Sequence, residues 1–357
     1  MFHVQMQRFL YLVGEQVEFN CTEKKRAGES RQKEETMLNL LPVLGSLYLG
    51  NHDPMALVRA LPGNISQGLI WGIMAIGVYL TYKILNFADL TVDGTMATGG
   101  AVTVMLILAG YPPVIAVAMA FVAGMVAGFV TGILHTIFGI PDILAGILSQ
   151  IALYSINLNI TGGKANQAVS VDQFNLLVSL RYISKTILVT GIITIAIIAI
   201  LYWFFGTERG FTIRATGCNP NMSRAQGINT SVAKVIALVF SNGLVGFAGG
   251  LLAQYQGNCD VNMGRGAIVI GLASVIIGEV LGEAIFGNKL NFCGRLLFVV
   301  FGSIIYYVVI NFVCWLGLPS IDLKLFSAIV VAIFLAVPYL RAKSKNSYRR
   351  AAKGGTQ

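Results

Sequence analysis

The chain has 357 residues, of which 55% are apolar and only 11% are charged, and its formal net charge is +9. A soluble globular domain of this length does not normally combine so much apolar with so little charged sequence. The composition therefore excludes that class and predicts a polytopic membrane protein.

Residues 1–60 differ from the rest, because they mix seven basic with seven acidic residues. They lack the short basic start, clean apolar core and small-residue cleavage site of a secretory signal, so we interpret them as an extramembrane extension. Within it, residues 38–50 are apolar but too short to span a bilayer. We expect that stretch at the membrane interface.

Residues 61–340 are predicted to form the transmembrane domain. Long runs without Asp, Glu, Lys or Arg, such as 94–141 and 235–259, are sufficient to cross a hydrocarbon core of about 30 Å. The 40 glycines suit close helix packing in lipid. We expect an all-α protein with about 8–10 transmembrane helices, and we place segments at 64–84, 90–110, 113–134, 142–160, 186–206, 234–254, 266–284, 296–317 and 322–340.

Charge placement predicts the orientation. The tail 341–357 carries six basic residues and no acid, and the loop 207–234 carries four basic residues against Glu208. Both are therefore predicted to be cytoplasmic by the positive-inside rule. A basic tail beside a membrane span needs no nucleic-acid partner to explain it. Alternation then places 161–185 outside, and also the extension, unless an early segment is re-entrant or 38–61 also crosses.

The first polar island, residues 85–100, contains Asn86 and two acids, Asp89 and Asp93. On a helix the two acids would share a face, and their repulsion would have to be relieved by cations, N–H groups or water. A broken helix lining an aqueous cavity would do this. A short cytoplasmic loop with two solvated acids is the alternative.

Polar residues also interrupt two apolar spans. Gln150, Tyr154 and Asn157 form one stripe on the fourth segment, which indicates either interhelical hydrogen bonds or the lining of a substrate path. Glu279 and Glu283 lie one turn apart near the cytoplasmic end of the seventh segment. Glu279 is a candidate for gating or coupling, and contact with interfacial water is the alternative.

The second polar island, residues 214–228, predicts a short helix with both ends capped. Asn219 can accept backbone N–H bonds, Pro220 suits the first helical position, and Gly227 can adopt the left-handed conformation beyond the end. So short a helix is not stable alone in water, so we expect it to dock against a partner.

No enzymatic chemistry is recognisable in the sequence. The five cysteines form no metal spacing, the three histidines are scattered, and no catalytic constellation is present. The phosphate-binding motif G-x-x-x-x-G-K-[ST] is absent as well. We therefore predict no catalytic residues, metal or cofactor, and any ATP would have to be hydrolysed by another chain.

Several motifs in order resemble the permease of bacterial ABC importers of the branched-chain amino acid type, with a subgroup associated with tryptophan or tyrosine uptake as the most similar. The resemblance spans about 64–340. It rests on Leu85-Asn-Phe-Ala-Asp-Leu-Thr-Val-Asp-Gly94, Asp142-Ile-Leu-Ala-Gly-Ile-Leu148, Ala152-Leu-Tyr-Ser-Ile-Asn-Leu158, the island from Arg214 to Asn229, and Gly264 to Glu279.

The resemblance implies a permease homodimer in the bacterial plasma membrane, an extracytoplasmic solute-binding protein and a cytoplasmic ATP-binding subunit. The second island would contain the coupling helix that contacts this subunit. The helix and its caps would be Asn219, Pro220, Ser223, Arg224, Gln226 and Gly227, and Arg214 would lie just before it in the coupling loop. The chain departs from the better-known signature E-A-A followed by Gly, and its 60-residue extension is also unusual for this group.

An aromatic or branched-chain amino acid is the substrate implied by the resemblance, and a sugar or nucleoside is the alternative within the same class. The translocation path would include Asn86, Asp89, Asp93, Gln150, Tyr154, Asn157 and Glu279. The rival from another class is an ion-coupled secondary transporter, in which Asp89, Asp93 or Glu279 would hold a cation or proton.

Overall fold

A computed structural model describes residues 54–170, 173–174, 176–287, 290–315 and scattered positions between 325 and 336. Over these residues the protein is predominantly helical, which confirms the all-α prediction. The extension before residue 54 and the tail 341–357 lie outside the described residues, as does most of the predicted segment 322–340.

The described helices, in chain order, are α1 Pro54–Tyr79, α2 Thr91–Leu108, α3 Pro113–Thr136, α4 Asp142–Ile160, α5 Ile183–Phe205, α6 Glu208–Cys218, α7 Pro220–Ala225, α8 Thr230–Gln256, α9 Ala267–Phe286 and α10 Phe292–Trp315. Two short strands, β1 Asn166–Ala168 and β2 Asn258–Asp260, pair antiparallel. This ribbon is the one departure from a purely helical chain among the described residues.

Eight of the helical segments in the described part of the chain are long and apolar enough to cross a membrane. They correspond to the first eight of the predicted segments. The first prediction began too late, because α1 starts at Pro54 and continues through Pro62. Near this proline, Asn64 Nδ2 donates to the Ala60 carbonyl at 2.9 Å, and Ser66 Oγ donates to the Gly63 carbonyl at 2.8 Å.

Helix α8 lies at the centre of the bundle and packs against α1, α2 and α3. Glycines allow these helices to approach closely, as the sequence predicted: a Cβ on Gly99 of α2 would collide with the Gly246 carbonyl of α8. Close backbone approach is a common means of holding helices together in lipid, where water does not drive apolar surfaces together.

The chain between α1 and α2 enters the bundle instead of running along its cytoplasmic surface. Helix α1 ends in the π-helical segment Leu80–Ile84, and Asn86 then adopts a left-handed conformation with φ 54°. Asp89 is 2% exposed and contacts Asn242, which lies twelve residues into α8, or about 18 Å along its axis. The alternative of a loop with two solvated acids is therefore wrong, because the helices bury this segment.

The other end of the bundle carries the β ribbon, which joins the connection after α4 to the end of α8. After β2 the chain turns through residues 261–266, and α9 begins beside α2, where the Asp93 carboxylate contacts the α9 N-terminus. Two helix N-termini, those of α2 and α9, thus meet inside the bundle.

Candidate translocation cleft and cytoplasmic coupling element

A polar cleft of about 340 Å³ opens between α2, α4 and the turn before α9. It brings together four of the predicted path residues, Asp93, Gln150, Tyr154 and Asn157. Its remaining lining consists of Gly94, Ile151, Ser155, Val261, Asn262 and Arg265. The stripe on α4 therefore faces the same cavity as the acid on α2, although the two elements are far apart in sequence.

Asp93 lies at the junction between the cleft and α9. Its carboxylate accepts hydrogen bonds from the backbone N–H of Gly266 and of Ile268, both at 3.0 Å. The first N–H groups of a helix have no partner within the helix and carry partial positive charge, so a carboxylate is stabilised there. Asp93 thus holds the N-terminus of α9 against α2 while forming part of the cleft wall.

Asn157 forms an interhelical hydrogen bond, one of the two alternatives for the α4 stripe, and it also lines the cleft. Its side chain is 1% exposed, and its Nδ2 donates to the Gly94 carbonyl at 3.4 Å, which joins α4 to α2. Its Oδ1 is buried without a hydrogen-bond partner. Tyr154 is 45% exposed on the same face, so it can contact a molecule in the cleft.

Arg265 is a cleft residue that the sequence analysis did not select. It is exposed in the turn before α9, and its guanidinium adds a positive charge to a wall that also contains the carboxylate of Asp93. The signal that could have identified it was a lone basic residue between two glycines in an otherwise uncharged stretch. Its proximity to α4 depends on the turn, which the sequence pattern does not reveal.

Asp89 belongs to a buried hydrogen-bond network and is not in the lining of the cleft. It accepts from the Thr91 backbone N–H at 2.9 Å and from Asn242 Nδ2 at 2.6 Å. Asn242 Oδ1 in turn accepts from Thr95 Oγ1 at 2.8 Å. A neighbouring hydroxyl chain from Thr91 through Thr131 to Ser149 connects α2, α3 and α4. These contacts give Asp89 a structural role at the start of α2.

The two other predicted path residues lie elsewhere. Asn86 is exposed at the turn that ends the π-helical segment. Glu279 forms an ion pair with Lys83, with 2.9 Å between Oε2 and Nζ. This pair joins α9 to the end of α1 on the cytoplasmic side of the bundle, so its placement is consistent with a coupling role and not with the cleft.

Residues 206–229, which the positive-inside rule predicts to be cytoplasmic, form an element that contains the predicted capped helix and that we call the cytoplasmic element. Asn219 Oδ1 accepts from the Met222 N–H at 3.1 Å, and Pro220 is the first residue of α7. At the other end Gly227 has φ 80°, its N–H donates to the Arg224 carbonyl, and the Ile228 N–H donates to the Ser223 carbonyl. This pair of bonds is a Schellman motif, so the predicted caps are confirmed.

The candidate coupling residues divide into exposed and supporting groups. Met222, Arg224 and Gln226 are exposed, and Ser223 is buried. Arg224 Nε also donates to Thr230 Oγ1 at 3.0 Å, which joins α7 to the first turn of α8. The Arg214 guanidinium lies 4.5 Å from the Phe292 ring centre and 5.3 Å from that of Phe205. Arg214 thus secures α6 to α5 and α10.

The apolar helices, the polar cleft in the bundle and the cytoplasmic element define a multi-pass membrane permease. The family described as branched-chain amino acid transport system, permease component, matches residues 63–338. The chain therefore belongs to this family of ABC importer permeases.

Two relatives illustrate the range of this similarity. The tyrosine transport system permease protein of Clostridioides difficile strain R20291 is 41% identical over 283 residues, which cover 79% of this chain and 92% of that protein. The autoinducer 2 import system permease protein LsrC of Yersinia pseudotuberculosis is 30% identical over 235 residues, 65% of this chain and 64% of that protein. No solved structure matches the chain.

Proposed function

We propose that this chain is the subunit through which an amino acid with an aromatic or branched side chain crosses the bacterial plasma membrane. The observation that carries this proposal is the placement of Asp93 and Arg265 in one cleft, beside the unpartnered Oδ1 of Asn157. The path would run along this cleft, and Gln150 and Tyr154 would line it.

The chemistry of the cleft matches a free amino acid better than a sugar. A substrate carboxylate can accept hydrogen bonds from the Arg265 guanidinium, and the substrate ammonium group can lie near the Asp93 carboxylate. The half-exposed ring of Tyr154 offers an aromatic or branched side chain an apolar surface. A sugar or neutral nucleoside has no carboxylate for Arg265. The tyrosine permease relative supports the same substrate class.

We propose that ATP is hydrolysed by a separate cytoplasmic subunit that binds α7. Met222 is 59% exposed on this helix, which is unusual for an apolar side chain on a six-residue element facing the cytoplasm. A socket on the partner would cover it. Movement of α7 would pass to α8 through the Arg224 contact with Thr230, and to α1 and α10 through α6.

A solute-binding protein would deliver the amino acid to the external face, where the β ribbon lies, and two copies of this chain would form the membrane unit. Ile151 and Tyr154 are exposed at the open side of the cleft, at 64% and 45%. A second permease copy facing α4 would close this side.

Uptake of radiolabelled tyrosine into cells or vesicles that contain the complete transporter tests the proposed substrate class. We expect ATP-dependent uptake, competition by other aromatic or branched-chain amino acids and none by ribose, and a loss of about tenfold or more in Arg265→Gln. The control is Arg59→Gln, the same change at an exposed position outside both the cleft and the cytoplasmic element. Uptake that an ionophore abolishes while ATP is maintained would instead support an ion-coupled transporter.

Co-purification of the ATP-binding subunit tests the role of α7. We expect Met222→Glu and Gln226→Glu to lower its recovery several-fold while membrane insertion remains unchanged. The first places a charge on the exposed face of α7, and the second places one at its exposed C-terminal cap. Gln167→Glu makes the same substitution on the external ribbon and serves as the matched control. Full recovery with both α7 variants would contradict this assignment.

A further inference from the structure

A second cleft, of about 360 Å³, lies at the cytoplasmic end of the bundle, between the π-helical end of α1, helix α6 and the start of α10. Its described lining includes three basic residues, Lys83, Arg214 and Arg295, and no acid. Glu279 is paired with Lys83, and Glu279 and Glu283 share an adjacent pocket with Arg295. The three cations still outnumber these two acids, and an anion in the cavity would balance the excess positive charge.

The two arginines keep donors available to such an anion. Arg214 is stacked among the rings of Phe205, Phe211 and Phe292, which occupy the faces of its guanidinium and leave the N–H groups at its edge. Arg295 is exposed at the start of α10, and it forms a hydrogen bond with Tyr79 while its guanidinium has further N–H donors. Within the part of the chain that the structure describes, neither arginine forms an ion pair, whereas Lys83 is paired with Glu279.

The surroundings of the cleft place it at the level of lipid head groups. Tyr202 and Trp203, at the end of α5, are 57% and 72% exposed, and Phe211 of α6 is 60% exposed. Exposed aromatic side chains at the ends of spans are typical of the membrane interface. The cleft thus lies beside the cytoplasmic leaflet, where acidic phospholipids provide phosphate groups.

We propose that this cleft binds an anionic phosphate group, presented by the head group of an acidic phospholipid of the cytoplasmic leaflet. The phosphate oxygens accept from the edge N–H groups of Arg214 and from Arg295, and Lys83 contributes a third charge. The bound lipid joins α6 to α1 and α10. Gly217 of α6 already contacts Ile84 at the π-helical end of α1, and α6 leads directly into α7. A lipid that joins α6 to α1 therefore stabilises the position of the cytoplasmic element.

Native mass spectrometry of the purified full-length chain in detergent tests this site. Phosphatidylglycerol and phosphatidylcholine are the probes, and the variants are wild type, Arg295→Gln and Arg209→Gln. Arg209 is an exposed arginine of α6 outside the cleft, so its variant controls for general loss of charge. We expect phosphatidylglycerol to bind wild type and Arg209→Gln about tenfold more tightly than Arg295→Gln, and phosphatidylcholine to bind all three weakly. Arg214→Gln is a second variant, with retention of the wild-type unfolding temperature as the test of folding.

Two results of the lipid-binding comparison would overturn the site. One is equal binding of the two lipids by the wild-type chain, and the other is phosphatidylglycerol binding that is the same in Arg295→Gln as in Arg209→Gln. Loss of ATP-binding subunit recovery in Arg295→Gln with unchanged lipid binding would assign the cleft to a protein partner, and so also overturn it. The binding measurement is also repeated in the presence of millimolar inorganic phosphate. Continued lipid binding supports a lipid head group as the ligand, whereas displacement of the lipid overturns the lipid assignment in favour of soluble phosphate.

Discussion

Three acids of similar sequence context have three different environments in this protein. Asp89 is enclosed by hydrogen bonds from Thr91 and Asn242, Asp93 receives backbone N–H groups from α9, and Glu279 is paired with Lys83. An ion-coupled transporter needs an acid that exchanges a cation or proton during transport. Because each acid already has a protein partner, the arrangement favours structural and coupling roles for them.

Substitution of Asp93 separates its two roles, as a cap for α9 and as a charge in the cleft. Asp93→Ala leaves the N–H groups of Gly266 and Ile268 without their acceptor, so we expect a loss of about 1–2 kcal/mol in stability. Asp93→Asn retains one carbonyl acceptor and should keep most of that stability while transport falls. Thermal unfolding in detergent and uptake assays measure the two effects. An Asp93→Ala protein as stable as wild type would contradict the capping role.

The residues that sequence reasoning placed correctly depend on local signals. Asn219, Pro220 and Gly227 act on backbone groups within a few positions, so their cap geometry follows from residue type and spacing. Arg265 and Asn242 were missed because their roles depend on contacts with α4 and with Asp89, which are distant in sequence. Asp93 was selected, but its actual partner, the N-terminus of α9, lies 173 residues away.

At the level of helices, the contact of α2 with α8 determines where the N-terminus of α2 lies, and with it the N-terminus of α9 that Asp93 holds. Gly99 faces the Gly246 carbonyl and Gly249 faces the Met96 carbonyl, so the two backbones touch along this contact. The high glycine content predicted close packing but not which helices meet. Glycine content is a property of each span, whereas the pairing of spans depends on the surfaces of both.

Gly99→Ala is expected to separate α2 from α8. The added methyl group would overlap the Gly246 carbonyl, and such overpacking costs about 1–3 kcal/mol. The unfolding temperature in detergent should therefore fall, and uptake should decline because Asp93 moves with α2. Gly191→Ala is the matched control, since a Cβ on Gly191 of α5 has nothing within 4 Å. Equal losses in both variants would indicate a general effect of removing glycine from a helix and would contradict this prediction.

The cytoplasmic element is secured at each of its boundaries. Asn229 Oδ1 accepts from the Ser231 and Val232 N–H groups and so begins α8 two residues after Gly227. Arg224 joins α7 to α8, and Gly217 allows α6 to contact Ile84 at the end of α1. An element held in this way moves with the helices that it contacts, as the coupling role proposed for α7 requires.

For the whole molecule, the number of spans between residues 54 and 315 has a direct consequence. Eight described helices are long and apolar enough to cross, and eight crossings would place both ends of this range on the same side of the membrane. Because the positive-inside rule places 207–234 in the cytoplasm, that side is external. A basic tail in the cytoplasm then requires one more crossing, which the apolar sequence 322–340 can provide.

Sided cysteine labelling with an impermeant maleimide tests this topology, in backgrounds that keep one cysteine at a time. We expect exposed Cys218 and an introduced Ser347→Cys in the tail to react in inside-out vesicles only, and Lys164→Cys to react in right-side-out vesicles only. Cys259 is the internal control: it is fully buried, and burial raises the pKa of its thiol to about 12, so almost no thiolate forms near pH 7.5 on either side. Labelling of Ser347→Cys from the external side would mean that 322–340 does not cross, and the tail would then lie outside despite its charge.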